Sequence, residues 1–397
     1  MNREDFRVFD SGLVYFDNGA TTMKPNCVVE KITDYYTKYT ANCHRGDYKN
    51  SMIVDNLYEE TRVKVRDLIN AKSEKEIVFT SGSTDSLNRI ILGFMKNNLK
   101  QGDEVIISKA EHASNFLPWI KLGEEIGVVI KYVEVNNHMV TVDNLKKVIT
   151  EKTKVISLAH VTNVLGDVRP IKEIGELCKN NNIYFVVDGA QSVPHRKIDV
   201  QENNIDFLAF SAHKMLGPTG VGVLYGKYEL LEKMEPLIYG GGMNNSFDSN
   251  NNYELKSIPT RFEAGTPNIS GVLGFGAAID YINNIGYDKI HNHIRNLREY
   301  LVTEMSKIPN VIIYNKYIDS STIVFNLKDV FPQDTAVYLD NYNMAVRAGN
   351  HCAKVLKEEI DVKNTCRISL YLYNTKEDCD KLINVLKNSK NIFQEIL

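Results

Sequence analysis

Up to about residue 226 the apolar positions of this chain fall into two alternating rhythms. Short runs without a polar alternate lie at 76–80 (EIVFT), 104–108, 130–135, 155–160, 184–188, 207–210 and 221–225. Such runs suit strands buried on both faces. Between them apolar residues recur at helical spacing: Leu87, Ile90, Ile91 and Phe94 stand at i, i+3, i+4 and i+7, one face of a helix. The same spacing predicts helices at 28–39, 54–70, 116–126, 143–150 and 171–180, and a short strand at 14–17. Strands alternating with helices predict an α/β fold around a mostly parallel, seven-stranded sheet with helices on both faces.

The rhythm then changes. Residues 239–252 (YGGGMNNSFDSNNN) are rich in glycine and asparagine and predict a flexible loop. Beyond it come helices at 271–285, 288–307 and 334–342, and strands at 311–314, 322–327, 345–347 and 366–372. A last helix opens with capping-box spacing between Thr375 and Asp378. The expected division is a large α/β domain over 15–265 and a smaller α+β domain from 1–14 and 266–397.

Composition narrows the class. Hydrophobic content of 43% and charged content of 24% are ordinary for a globular enzyme. A net charge of -3 makes no basic field, so no nucleic-acid partner is expected. No apolar run approaches the roughly 18 residues of a membrane span, so no membrane partner is expected either. The six cysteines are scattered without a CxxC pair, and the first residues are charged. Cytoplasmic thiols are the expectation.

Candidate chemistry gathers at strand ends. Lys214 follows the strand 207–210 in Ser211-Ala-His213-Lys214, ahead of a glycine-rich turn. A lone lysine there is usually a surface residue, but one desolvated at a buried strand end can act as a neutral amine and form a Schiff base. Thr80-Ser-Gly-Ser83-Thr84-Asp joins a strand to a helix, an anion site if Ser83 and Thr84 do more than cap the helix. Asp188 ends the strand 184–188, where α/β sheets bind ligands, although it can equally cap the next helix. Phosphate cradle, carboxylate and buried lysine together are what pyridoxal 5′-phosphate requires. His112 and Asn163 also follow strands: the first offers a flat ring to stack on the cofactor or faces solvent, and the second can reach its phenolic oxygen. Cys352, in Arg347-Ala-Gly-Asn-His351-Cys352-Ala, is either a packed small side chain or a thiol held partly ionised by its neighbours. Arg367, opening a late strand, can clamp a carboxylate with two parallel hydrogen bonds. No second Cys/His pair stands at ligand spacing, so no metal is expected.

These motifs stand in a recognisable order. Tyr15-Phe-Asp-Asn-Gly-Ala-Thr-Thr is followed by His44-Arg45-Gly46, Glu76-Ile-Val-Phe-Thr, Ser81-Gly-Ser-Thr, Glu111-His112 and Asn163-Val-Leu-Gly. Then come Asp188-Gly-Ala-Gln191, Ser211-Ala-His-Lys214, Tyr239-Gly-Gly-Gly, Phe262-Glu-Ala-Gly-Thr266-Pro-Asn, the Cys352 motif and Cys366-Arg-Ile-Ser-Leu. Over nearly its whole length the chain resembles the class V, fold-type I pyridoxal-phosphate enzymes, specifically the Suf-type (group II) cysteine desulfurases and selenocysteine lyases. The resemblance implies that Lys214 is the Schiff-base lysine, Asp188 the partner of the pyridinium nitrogen and His112 the stacking ring. It sets Gln191 and Asn163 near the phenolic oxygen and makes Ser83, Thr84, Ser211 and His213 phosphate ligands. Thr266 would reach the phosphate of a neighbouring subunit, which implies a homodimer. Arg367, with Asn163 and Arg347 beside it, would hold the carboxylate of L-cysteine, and Cys352 would take the sulfur as a persulfide for a sulfur-acceptor or scaffold protein serving iron–sulfur cluster or thiocofactor assembly. Three departures from the family pattern, Asn350, Lys354-Val-Leu and Asp47-Tyr48-Lys49, are expected at the mouth of the site. A selenocysteine lyase or other β-eliminating class V enzyme, and a weakly catalytic sulfur-relay platform, are the alternative readings.

Overall fold

Strands that are apolar on both faces need cover on both sides, and the computed structural model, which describes residues 2–44, 46–135, 139–389 and 392, supplies it. After strand β1 (Val14–Tyr15) and helices Asn26–Lys38 and Lys49–Ile69 the central sheet begins. It is built from β2 (Ile77–Thr80), β3 (Glu104–Ile107), β4 (Val129–Tyr132), β5 (Thr153–Ala159), β6 (Tyr184–Asp188), β7 (Phe207–Ser211) and β8 (Gly222–Gly226). Its order is β2-β8-β7-β6-β5-β3-β4. Only β8 runs against its neighbours, so the sheet is mostly parallel and seven-stranded, as the sequence predicts.

Because side chains alternate across a strand, each strand feeds two cores. Ile77, Ile106, Ile156, Phe185, Leu208 and Val223 enter the core under helices Asn26–Lys38, Lys49–Ile69 and Ile171–Asn180. Val78, Val105, Val155, Val186, Phe207 and Leu224 enter the other, with Leu87, Ile90, Phe94 and Trp119. Burying one such side chain contributes roughly 1.5–3 kcal/mol. Helix Ile269–Ile285 joins the first core, packing on Asn26–Lys38 and Lys49–Ile69.

Beyond the hairpin β9 (Asn244–Phe247) and β10 (Tyr253–Leu255), a second, antiparallel sheet holds β11 (Val311–Ile313), β12 (Thr322–Leu327), β14 (Arg347–Gly349) and β15 (Thr365–Ser369) in the order β11-β12-β15-β14. Between them β13 (Met344–Ala345) pairs in parallel with β1, and Asp17 bridges to Ser369. The N-terminal segment thus sews the second sheet to the site.

Several boundaries differ from the sequence expectation. The segment 239–252 is not all loop, because β9 and β10 pair across a turn in which Asp248 Oδ1 accepts from the N–H groups of Asn250 (2.8 Å) and Asn252 (3.1 Å). The single strand expected at 345–347 is two, β13 and β14, which pair with different partners. The helix expected from residue 54 starts at Lys49, its polar first turn hiding the apolar period, and the strand expected over 366–372 ends at Ser369. Arg45 lies outside the described residues. Among the described residues no helix is long and apolar enough to cross a membrane, and no group of three metal-ligating side chains occurs.

Candidate active site

The parallel strands β3, β5, β6 and β7 all end at one edge of the sheet; β6 closes on Asp188, and the segments after β3, β5 and β7 carry His112, Asn163 and Lys214. This is where open α/β sheets collect ligands. A cavity of about 400 Å³ opens there, and its walls include Ser83, Thr84, His112, Asn163, Ser211, His213, Lys214, Arg347, Cys352 and Arg367. Ten of the residues expected from sequence therefore meet in one space. Asp188, Gln191 and Thr266 do not line it.

Lys214 sits in a 3-10 turn, Ala212–Lys214, directly after β7. It is half-buried, its side chain open to the cavity, yet the protein packed around its amine lowers its pKa by desolvation; Asp188 opposes this and Arg367 and Arg347 add to it. The carbonyl of His213, one residue before, accepts from Thr22 N (2.9 Å), Thr22 Oγ1 (3.1 Å) and Lys24 Nζ (3.1 Å). Burial brings Lys24 down to about 8. The N-terminal segment therefore fixes the turn that presents Lys214. Asp188 is 5% exposed, and burial raises its carboxyl to about 6, against the hydrogen bond it accepts from Ala190 N (2.9 Å) and the pull of Lys214.

At the start of helix Ser83–Asn88 the backbone N–H of Ser83 donates to Ser211 Oγ (2.8 Å), and the two hydroxyls lie 3.0 Å apart. Thr84 Oγ1 meets Ser114 Oγ at 2.7 Å. The turn is tight: a Cβ on Gly222 of β8 would stand 2.4 Å from Gly82 Cα.

His112 is pushed down to about 4, first by burial and then by Lys214, Arg367 and Arg347, so its ring is neutral near pH 7. Ser114 N donates to His112 Nδ1 (3.2 Å), and a backbone N–H can only donate. The neutral ring therefore carries its proton on Nε2.

Cys352 is exposed on the far wall. His351 and Cys352 both adopt left-handed backbone, with φ 53° and 58°, a conformation costly to two successive non-glycine residues. Three bonds hold the bend: Asn163 Nδ2 to His351 O (2.6 Å), Ala113 N to Cys352 O (2.8 Å) and Cys352 N to Asn350 Oδ1 (3.2 Å). Asn350 thus braces the cysteine loop, and Lys354 stands exposed just past it. Tyr48, the third expected departure at the mouth, does not line the cavity.

Arg367 is 2% exposed. It donates to Asn163 O (2.6 Å) and Asp17 Oδ1 (3.2 Å), and Gly19 is required beside it, since a Cβ there would lie 2.9 Å from the guanidinium. Gln191 is turned to Gly19, its Nε2 donating to that carbonyl at 2.8 Å. Thr266 is exposed, and its hydroxyl accepts from Asn42 Nδ2 (3.2 Å). Sequence reasoning gave no role to Asp17, Lys24 or Ser114. Asp17 stood inside the first quoted motif, but nothing in sequence shows which distant arginines a carboxylate will meet.

Over residues 14–382 the chain matches the aminotransferase class-V family. It is 43% identical over 396 residues to a probable cysteine desulfurase of Halalkalibacterium halodurans, covering 99% of this chain and 97% of that protein. The probable cysteine desulfurase of Staphylococcus aureus N315 is 42% identical, with 98% and 95% covered. Among solved structures, the apo cysteine desulfurase of Thermococcus onnurineus NA1 superposes with a TM-score of 0.93 at 35% identity, over 97% of this chain and 96% of that one. A cysteine desulfurase of Escherichia coli gives 0.93 at 34%, over 100% and 98%. Matched nearly end to end in both sequence and fold, this chain belongs to the class-V aminotransferase family.

Proposed function

We propose that the chain is a pyridoxal-phosphate-dependent cysteine desulfurase that moves the sulfur of L-cysteine onto Cys352 and releases L-alanine. The observation that carries the reading is one cavity walled by a lysine of lowered pKa, a nearly inaccessible arginine and an exposed thiol.

The residues fit pyridoxal 5′-phosphate. Four buried polar atoms of the cavity's lining residues, His213 Nδ1, Asn163 Oδ1, His351 Nδ1 and Arg367 Nε, have no partner among the described residues, and bound polar groups would satisfy those that face the cavity. Ser83, Thr84, Ser211 and His213 would hold the phosphate, Asp188 the ring nitrogen, His112 the ring face, Gln191 and Asn163 the phenolic side, and Lys214 the aldehyde carbon. When bound, the cofactor supplies an electron sink for the bonding pair released at the substrate's Cα.

The chain's own groups do the rest. Arg367, with Arg347 and Asn163 nearby, orients the substrate carboxylate. Lys214, whose lowered pKa favours the neutral amine, accepts the Cα proton. Cys352 Sγ attacks the substrate sulfur; the S–S bond forms as the C–S bond breaks, and the bonding pair stays with the carbon, which is protonated and leaves as alanine. Exposure of Cys352 supports onward transfer of that sulfur to an acceptor or scaffold protein for iron–sulfur cluster or thiocofactor assembly.

Thr266, exposed and outside its own chain's cavity, supports a homodimer in which it reaches the partner's phosphate site. Exposed Ile238, Tyr239, Phe247 and Tyr253 on and beside the β9–β10 hairpin support burial of that face. All six cysteines are unpaired, which supports a reducing, cytoplasmic setting. Mass spectrometry of protein treated with L-cysteine without reductant tests the reading. One added sulfur on Cys352, absent from Cys352→Ala, is expected; a sulfur adduct on another cysteine, or none, would overturn it.

A further inference from the structure

Asn350 is one of the three departures from the family pattern, and it stands two residues before the sulfur-accepting thiol. The backbone N–H of Ala353 donates to Asn350 O at 2.9 Å, which closes a four-residue turn, Asn350–Ala353. Its central residues are His351 and Cys352, and both have positive φ, 53° and 58°. Turns with positive φ at both central positions normally take asparagine, aspartate or glycine there, because a Cβ disfavours that backbone. Here the reactive thiol occupies a position that its own side chain disfavours.

Further hydrogen bonds must therefore hold the turn. His351 O accepts from Asn163 Nδ2 (2.6 Å) and Cys352 O from Ala113 N (2.8 Å), which ties it to the two segments that carry Asn163 and His112. His351 Nε2 meets Thr365 Oγ1 at 2.9 Å. The other polar backbone group of Cys352, its N–H, donates to Asn350 Oδ1 at 3.2 Å. This is an Asx turn, in which a side-chain oxygen takes the place of a backbone acceptor. Asn350 is exposed and does not line the cavity, so its side chain bears on the reaction through Cys352. Relaxation of Cys352 to negative φ would swing its Cα–Cβ bond and carry Sγ from its present place, on the cavity wall and open to solvent.

We propose that Asn350 is a positioning residue for sulfur transfer, which holds the Cys352 N–H so that the thiol stays aimed at the substrate sulfur and within reach of an acceptor. The inference rests on the desulfurase reading and deepens it. Proton removal at Cα belongs to Lys214 and does not use the turn, whereas the S–S bond forms only when Sγ stands in line with the substrate sulfur. Asn350 therefore bears on the second step and not on the first.

Asn350→Ala in the holoenzyme tests this, at an exposed position where folding is not at stake. Residue-resolved hydrogen exchange should find the Cys352 amide roughly tenfold less protected than in wild type, as for the loss of one hydrogen bond. Two rates are then compared. One is single-turnover persulfide formation on Cys352 from L-cysteine, read by mass spectrometry. The other is exchange of the Cα hydrogen of L-alanine in deuterium oxide, which needs no thiol. Their ratio should fall roughly tenfold, because the competent backbone is less populated. Asn350→Ser keeps an oxygen that accepts from the same N–H more weakly, and its ratio should lie between the two. A merely structural role for Asn350 would slow both reactions alike and leave the ratio unchanged. That result, or a ratio that falls while the Cys352 amide stays protected, would overturn the inference and leave the desulfurase reading standing. Wild-type protein that forms no persulfide on Cys352 would contradict the desulfurase reading itself, and the inference with it.

Discussion

At the scale of single residues the site is costly to build. Burial raises the Asp188 carboxyl from 3.8 to about 6. The folded chain therefore binds that proton more tightly than the unfolded chain, so the ionised carboxylate lowers stability above about pH 6 and has no effect below about pH 4. Asp188→Asn removes the charge and keeps an acceptor for Ala190 N. In cofactor-free protein we expect it to raise unfolding stability by about 2–3 kcal/mol near pH 7.5, with the gain gone by about pH 4, while cofactor affinity falls. Urea unfolding at both pH values measures this. Equal stabilisation at both would refute a charge effect. Lys214 shows the opposite sign for the same reason, since desolvation disfavours whichever form is charged.

At the scale of elements, function depends on strand ends and on how closely β8 approaches the turn at Gly82. In Gly222→Ala the new Cβ would press on Gly82 Cα at 2.4 Å. We expect a loss of about 1–3 kcal/mol and roughly tenfold weaker cofactor retention, because the turn that starts helix Ser83–Asn88 must shift. Unfolding and equilibrium dialysis together test it, and wild-type values in both would show that the contact is slack. The elements also show what could be read from the sequence. The central strands were legible because burial on both faces leaves continuous apolar runs, and the lysine and carboxylate were legible because they end those runs. Residues 244–255 were not, because side-chain bonds from Asp248, not hydrophobic alternation, form their turn. Arg347 and Cys352 could be named from their motif, but the split of β13 from β14 comes from pairing with β1, more than three hundred residues earlier in the chain. The ion pairs of Asp17 were invisible for the same reason: its partners, Arg347 and Arg367, lie at the other end of the sequence.

At the scale of the whole molecule, a single chain of 45.1 kDa brings together every expected group except Thr266, Asp188 and Gln191, and of these Asp188 is buried and its charge pulls on Lys214. Light scattering should therefore give twice the chain mass, and Thr266→Val should keep that mass yet release cofactor more readily; a monomer that holds its cofactor fully would rule out a shared site. The most direct test of the desulfurase reading is L-alanine release from L-cysteine, with and without reductant, by wild type and Cys352→Ala. Reductant-stimulated release by the wild type that falls at least about a hundredfold in the variant is the expected result. Alanine release that persists at the wild-type rate without Cys352 would contradict it, and would leave that thiol with no part in the chemistry.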